Sequence, residues 1–110
     1  MEEKEYKTFK EFYPFYLEQH KKEGTRITHF IGTTLFLTLL VLAIIKQEPL
    51  FIGEGAVCAY FFAWIGHFFI EHNKPATFKY PWMSLKGDFK LYFEILTGKQ
   101  GFKGSDWTLF

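Results

Sequence analysis

Two long apolar runs dominate the pattern of hydrophobic and polar positions along this chain. The first occupies residues 27–45 and the second extends from Leu50 to about Glu71, with a short polar stretch at 46–49 between them. At about 1.5 Å per residue, a helix of either length matches the roughly 30 Å hydrocarbon core of a bilayer. The pattern therefore predicts two transmembrane helices joined as a hairpin. A soluble helical hairpin buried in a larger oligomer is the alternative interpretation.

The segment before the first run is aromatic and charged. Thr8 is followed three residues later by a glutamate, which is the spacing of a capping box. Pro14 indicates that the helix starts or kinks there, and Gly24 indicates a break. These signals predict a helix at about residues 9–22 that lies at the membrane surface or packs under other helices.

A further helix is predicted at about residues 84–96. Lysine and glutamate occupy one face, and the opposite face carries an apolar stripe of Leu85, Phe89, Tyr92, Phe93 and Leu96. An amphipathic helix of this type suits a membrane surface. The chain as a whole, residues 1–110, is therefore predicted to be one all-α domain. It is a membrane helical hairpin flanked by N- and C-terminal amphipathic helices, and its partner is the lipid bilayer.

Charge and cysteine content exclude several classes of function. The formal net charge is +1, so the basic bias of a nucleic-acid-binding protein is missing and no nucleic-acid partner is expected. The single cysteine, Cys58, lies in an apolar run, which leaves no disulfide framework and no paired-cysteine zinc motif.

The distribution of basic residues predicts an orientation in the membrane. Of the 13 lysines and arginines, Lys46 is in the turn and the other 12 flank the apolar runs. By the positive-inside rule, both termini are cytoplasmic. The membrane would be the inner membrane of a bacterial cell or the endoplasmic reticulum of a eukaryotic cell.

The histidines lie at predicted helix ends. His29 and His67 are nearly equidistant from the turn, so an antiparallel pair brings them to the same height, and His20 can fold over the same end. Glu71 is one α-helical turn beyond His67, whereas His72 points elsewhere. These residues predict a metal site, and zinc or a redox metal would accept them. Solvated polar helix ends are the alternative.

Four stretches together resemble a known family: FYPFYLEQH, RITHFIGT, WIGHFFIEHNKPATFKYP and SLKGDF. They are similar to small membrane proteins, formerly a domain of unknown function, related to the fungal iron-dependent 2-hydroxy fatty acid dioxygenase of the endoplasmic reticulum. The similarity covers about residues 9–96. It implies an Fe2+ enzyme that uses O2 to shorten 2-hydroxy fatty acids by one carbon in α-oxidation.

The resemblance also implies roles for individual residues. The recurrent polar positions of the family fall on His20, His29, His67 and Glu71. The three histidines are the implied iron ligands, and Glu71 is the implied catalytic carboxylate or a further ligand. His72 is a weaker ligand candidate because that position is commonly basic. Arg26 and Lys74 are candidates to bind the substrate carboxylate.

Two other functions stay open at this point. The protein could be a non-catalytic membrane component with a structural Zn2+, or it could bind haem between His29 and His67. A homo-oligomer is also compatible with the sequence.

Overall fold

A computed structural model describes residues 5–74 and 79–102 of the chain. The elements in chain order are α1 (Phe9–Glu18), α2 (Glu23–Lys46), α3 (Leu50–Trp64), a π-helical segment (Ile65–Glu71) that directly continues α3, and α4 (Pro81–Leu96). No strand occurs in these described ranges, so the predicted all-α class is confirmed.

Helix α1 is shorter than the predicted helix at 9–22. It begins after Thr8, whose hydroxyl accepts a hydrogen bond from the Glu11 backbone N–H (3.2 Å), as the capping-box spacing predicts. Pro14 lies inside α1 and not at its start. Its side chain is exposed, so water can reach the carbonyl that the missing N–H leaves free. The helix ends at Glu18, and the N–H groups of Gln19 and His20 cap its last turn by donating to carbonyls three or four residues back.

The break predicted at Gly24 is wrong, because α2 already begins at Glu23. The extended residue between α1 and α2 is Lys22, the N-cap of α2. Gly24 instead provides space for the π segment: a Cβ atom there would lie 3.1 Å from the side chain of Ile70. The glycine signal reflects close helix packing and not helix termination.

Glycines bring α2 and α3 into close contact along their length. A Cβ atom on Gly32 would lie 3.1 Å from the backbone of Ala59, and one on Gly55 would lie 3.2 Å from the Cα of Phe36. The contact partners run in opposite directions along the two helices, so α2 and α3 are antiparallel. Small residues at such contacts are typical of helices that associate in membranes.

Many large apolar side chains of α2 and α3 point away from the protein. Val41, Ile44, Val57 and Phe61 are each at least half exposed. Two helical stretches, Glu23–Lys46 and Leu50–Glu71, are long and apolar enough to cross a membrane. Most of each stretch is not buried within the chain.

Helix α4 begins at Pro81, three residues before the predicted start, because proline suits the first helical position. The predicted apolar stripe is only partly buried: Tyr92 is 7% exposed, whereas Leu85, Phe93 and Leu96 are 41–56% exposed. The buried positions of α4 are Ser84, Gly87, Leu91 and Tyr92. Small side chains on this face let α4 lie close to α1, where an aromatic core forms around Phe12, Tyr13 and Tyr16.

Candidate metal centre

Three buried histidines from different parts of the chain meet at the end of α2 and α3 that is remote from their connecting turn. His20 follows α1, His29 is in α2, and His67 is in the π segment. The ring centroids of His20 and His29 are 5.2 Å apart, and those of His20 and His67 are 4.5 Å apart. The structure therefore places side by side the three histidines that the sequence puts at helix ends.

A carboxylate from α4, Asp88, joins this cluster. Its Oδ1 atom lies 3.4 Å from Nε2 of His29. One ligand atom each of His20, His29 and Asp88 lie within 4.8 Å of one another, and in the described part of the chain this group could hold a metal ion. Two imidazoles and one carboxylate form the donor set of many non-haem Fe(II) oxygenases, and zinc accepts the same atoms. The donor chemistry therefore fits the Fe2+ implied by the family resemblance and also fits Zn2+.

Tyr16 connects α1 to this carboxylate. Its hydroxyl donates a 2.6 Å hydrogen bond to Asp88 Oδ1 and lies 3.1 Å from Nε2 of His29. The contact depends on Gly87, since a Cβ atom there would lie 2.9 Å from the Tyr16 ring. The absence of a side chain at this position lets the backbone of α4 approach the ring, and the next residue then reaches the hydroxyl.

Hydrogen bonds fix the orientation of two of the imidazoles. Nδ1 of His20 donates to the Tyr16 carbonyl (2.8 Å), and Nδ1 of His67 donates to Oδ1 of Asn73 (2.8 Å). Both partners are acceptors, so Nδ1 carries the proton and Nε2 keeps its lone pair. Metal-binding histidines are typically held in this way by a hydrogen bond from their other nitrogen.

The π segment positions Asn73 for this contact. The backbone N–H of Asn73 donates to the carbonyl of His67 (2.8 Å), after His72 has adopted a left-handed conformation with φ 61°. The Asn73 amide also donates to the carbonyl of Gln19 (3.4 Å). Asn73 therefore links the end of the second long helix to the connection between α1 and α2. Short π-helical stretches are frequent at functional sites.

Burial is the main cause of the pKa shifts of two members of the cluster, His20 and Asp88. Burial, and then the nearby imidazoles of His29 and His67, hold the pKa of His20 well below its ordinary value. Burial raises the pKa of Asp88, although His29 and the Tyr16 hydroxyl oppose this shift. His20 is consequently a neutral imidazole at pH 7, which is the form that binds a metal ion.

The remaining ligand candidates lie outside the three-residue group. Oε2 of Glu71 accepts a 2.7 Å hydrogen bond from the backbone N–H of Lys22, next to the start of α2. His72 and Lys74 are exposed at the end of the π segment. Residues 75–78, which carry part of the family resemblance, lie outside the described residues.

Arg26 is completely buried beside the centre. Its Nε donates to the carbonyl of His20 (2.6 Å), and its Nη1 donates to the Gln100 side chain (3.1 Å) and to the carbonyl of Gly101 (2.9 Å). These bonds tie the segment after α4 to the connection that carries His20. Nη2 of Arg26 is buried and has no hydrogen-bond partner among the described residues.

An apolar cavity of about 150 Å³ adjoins the centre. His29 and Asp88 stand at its polar end, and α2, α3 and α4 provide its walls. The other lining residues are mostly apolar: Thr33, Phe36, Ala56, Ala59, Tyr60, Ala63, Leu85 and Phe89. Its volume is comparable to an engineered apolar cavity of about 150 Å³ that binds benzene.

Sequence reasoning missed Asp88, Tyr16 and Asn73 as members of this centre. Each lies in a stretch on which the family resemblance rests, so the signal was present. Asp88 is an acidic residue next to a glycine on an otherwise amphipathic helix, and an asparagine such as Asn73 after an apolar run is also typical of an ordinary helix end. Their roles depend on contacts between distant parts of the chain.

The fold and the site define an all-helical protein with a buried histidine–carboxylate cluster at one end of two long apolar helices. The chain belongs to the 2-hydroxy-palmitic acid dioxygenase Mpo1-like family, whose model matches residues 6–100. Comparisons with curated proteins and with solved structures gave no match. The family match confirms the relation that the sequence motifs indicate.

Proposed function

We propose that this protein is a membrane-embedded Fe(II) dioxygenase that removes the carboxyl carbon of 2-hydroxy fatty acids. The observation that carries the proposal is the donor set of His20, His29 and Asp88 at the polar end of an apolar cavity. Such a set is typical of enzymes that activate O2 at ferrous iron. Membership of the Mpo1-like family supports the same substrate class.

The proposed reaction balances without an external reductant. A 2-hydroxy fatty acid and O2 give a fatty acid one carbon shorter, CO2 and water. The bond between the carboxyl carbon and the hydroxyl-bearing carbon breaks, and both carbons are oxidised while O2 is reduced. Ferrous iron bound at the centre would supply the positions at which O2 and the substrate oxygens meet.

The residues of the chain have distinct parts in this proposal. His20, His29 and Asp88 hold the ion. His67, oriented by Asn73, is either a further donor or a polar neighbour that keeps His20 in place. The Tyr16 hydroxyl holds Asp88 in the absence of an ion. The apolar cavity walls exclude water from the reacting end of the acyl chain.

Arg26 is the favoured partner of the substrate carboxylate. Its Nη2 group is buried without a partner in the described residues, whereas its other nitrogen groups are occupied. A guanidinium group binds carboxylates strongly through paired hydrogen bonds. Lys74 is exposed and is the weaker candidate.

The proposed membrane placement puts α2 and the α3–π helix across the bilayer, with both termini cytoplasmic. It is supported by the outward-facing apolar side chains and by the 12 basic residues outside the turn. With Cys58 replaced by serine, a cysteine introduced at Gln47 should react with an impermeant maleimide added outside intact cells. A cysteine introduced at Glu5 should react only after lysis, and the opposite pattern would refute this orientation.

The function is tested by metal analysis combined with O2 consumption. Purified protein should bind about one iron per site and consume O2 with 2-hydroxypalmitate, releasing the shortened acid. His20→Ala should abolish both iron binding and O2 consumption. His72→Lys should retain both because the side chain of His72 is exposed. Bound zinc without O2 uptake would favour a structural site, and a haem absorbance band would identify the other alternative.

A further inference from the structure

The cavity beside the metal centre has a definite direction. On α2 its lining residues are His29, Thr33 and Phe36, which advance by about two helical turns from the centre toward the turn at 47–49. On α3, the three alanines Ala56, Ala59 and Ala63 form the opposite wall. The cavity therefore extends from the metal centre into the apolar part of the two long helices.

One side of the cavity is less covered than the others. Its most exposed lining residues are Tyr60 on α3 and Leu85 on α4, which are 42% and 41% exposed. Helix α4 packs mainly on α1 and α2, so it leaves a gap on the side of α3. Val57 and Phe61, which neighbour Tyr60 along α3, are exposed apolar side chains.

We propose that Tyr60 and Leu85 form a lateral mouth through which a bilayer-dissolved 2-hydroxy acid enters, and that its tail remains in this mouth during turnover. The inference rests on the proposed function and adds the route and position of the acyl chain. An acid that partitions into lipid needs no passage through water to reach a mouth with apolar edges on both sides.

The size of the cavity supports this position for the tail. A cavity of about 150 Å³ holds a molecule of roughly six carbon atoms, as the benzene-binding example shows. The chain of 2-hydroxypalmitate is much longer than that. With the hydroxy-acid end of the substrate at the metal centre, next to His29 and Asp88, the first carbons of its chain fill the cavity and the remainder must leave through the opening. The acyl group of 2-hydroxyoctanoate, by contrast, fits largely inside.

Substitutions of two residues on the same exposed stripe of α4 test the mouth. Leu85→Trp places a bulky ring at the opening, whereas Phe93→Trp places one two turns away, outside the cavity lining. For Leu85→Trp, kcat/KM for 2-hydroxypalmitate relative to 2-hydroxyoctanoate should fall at least about tenfold, because only the long tail occupies the mouth. Phe93→Trp should leave the ratio within about twofold. Equal ratios for both variants would overturn the proposal.

A binding measurement separates failure of the mouth from failure of the proposed function. A 2-hydroxy fatty acid with a photoreactive diazirine beyond its eighth carbon is incubated with the protein in liposomes, illuminated and mapped by mass spectrometry. Labelling should concentrate on the peptides around Tyr60 and Leu85 and decrease in Leu85→Trp. Labelling of these peptides without any O2 consumption would support the mouth as an acyl-chain site and contradict the proposed dioxygenase function. Turnover with labelling on the outer face of α2 would reject the mouth alone.

Discussion

Replacement of Asp88 by asparagine should remove metal-dependent stabilisation while leaving the metal-free protein nearly as stable as the wild type. In the metal-free protein, Asp88 Oδ1 accepts the 2.6 Å hydrogen bond from Tyr16, and an amide oxygen at the same place can still accept it. The folded-state pKa of Asp88 is raised by burial, so its ionised form costs stability above that pKa. Asparagine carries no such cost. The weaker hydrogen bond lowers stability, whereas removal of the buried charge raises it. We therefore expect the free energy of unfolding to change by no more than about 1 kcal/mol.

The effect on metal binding is much larger. Ferrous iron at about 100 times its dissociation constant stabilises a protein that binds it only when folded by about 2.7 kcal/mol. For a chain of this length, 1 kcal/mol corresponds to roughly 4–8 °C in Tm, so the wild type should gain about 10–20 °C. Asp88→Asn should gain almost nothing because it lacks the anionic donor of the cluster. The assay is anaerobic thermal unfolding in detergent, with and without ferrous iron.

Glu71→Gln is the matched control, since it makes the same acid-to-amide change outside the cluster. Glu71 accepts a hydrogen bond from the Lys22 backbone N–H, and glutamine can accept a weaker one. We therefore expect the free energy of unfolding to fall by about 1 kcal/mol, while the increase in Tm on adding ferrous iron is retained. A full metal shift in Asp88→Asn together with a lost shift in Glu71→Gln would refute the assignment. The carboxylate of the site would then be Glu71.

Three further perturbations test the surroundings of the centre. Gly87→Ala forces a methyl group to within 2.9 Å of the Tyr16 ring and should cost about 1–3 kcal/mol in the free energy of unfolding, measured by thermal unfolding. Asn73→Ala removes the acceptor of the His67 N–H and should weaken iron affinity about 10–100-fold in a titration if His67 is a donor, whereas Asn73→Asp should retain it. The lowered pKa of His20 means that the unfolded state binds its proton more tightly. Metal-free wild type should therefore lose up to about 1.4 kcal/mol per pH unit as the pH falls below about 6.5, and His20→Gln should show a shallower slope.

The number of helices and the meeting of the histidines could be predicted because both follow from local patterns. Apolar runs of the right length define the two long helices, and the equal distances of His29 and His67 from the turn set their common height. Because only residues 19–22 connect α1 to α2, His20 must lie close to the start of α2. These inferences need only helix geometry and chain length.

Asp88 could not be assigned in the same way because its position depends on how α4 packs. The apolar stripe of α4 predicts contact with a membrane surface, and Leu85 and Phe93 on it are exposed, but the stripe does not show which face packs on α1. The face that packs on α1 is set by the missing side chain of Gly87 and by the shape of the Tyr16 ring. Hydrophobic periodicity does not register this contact, in which the backbone of α4 at Gly87 approaches the Tyr16 ring and so decides the face.

The assignment of Glu71 rested on an α-helical period that does not hold at this point. In an α-helix His67 and Glu71 would share a face, but residues 65–71 form a π-helix, whose hydrogen bonds span one residue more. The wider turn leaves the Glu71 carboxylate at the Lys22 N–H, while Asn73 reaches the His67 ring. With the π segment in place, Glu71 bonds the backbone at the start of α2 and Asn73 orients the His67 ring.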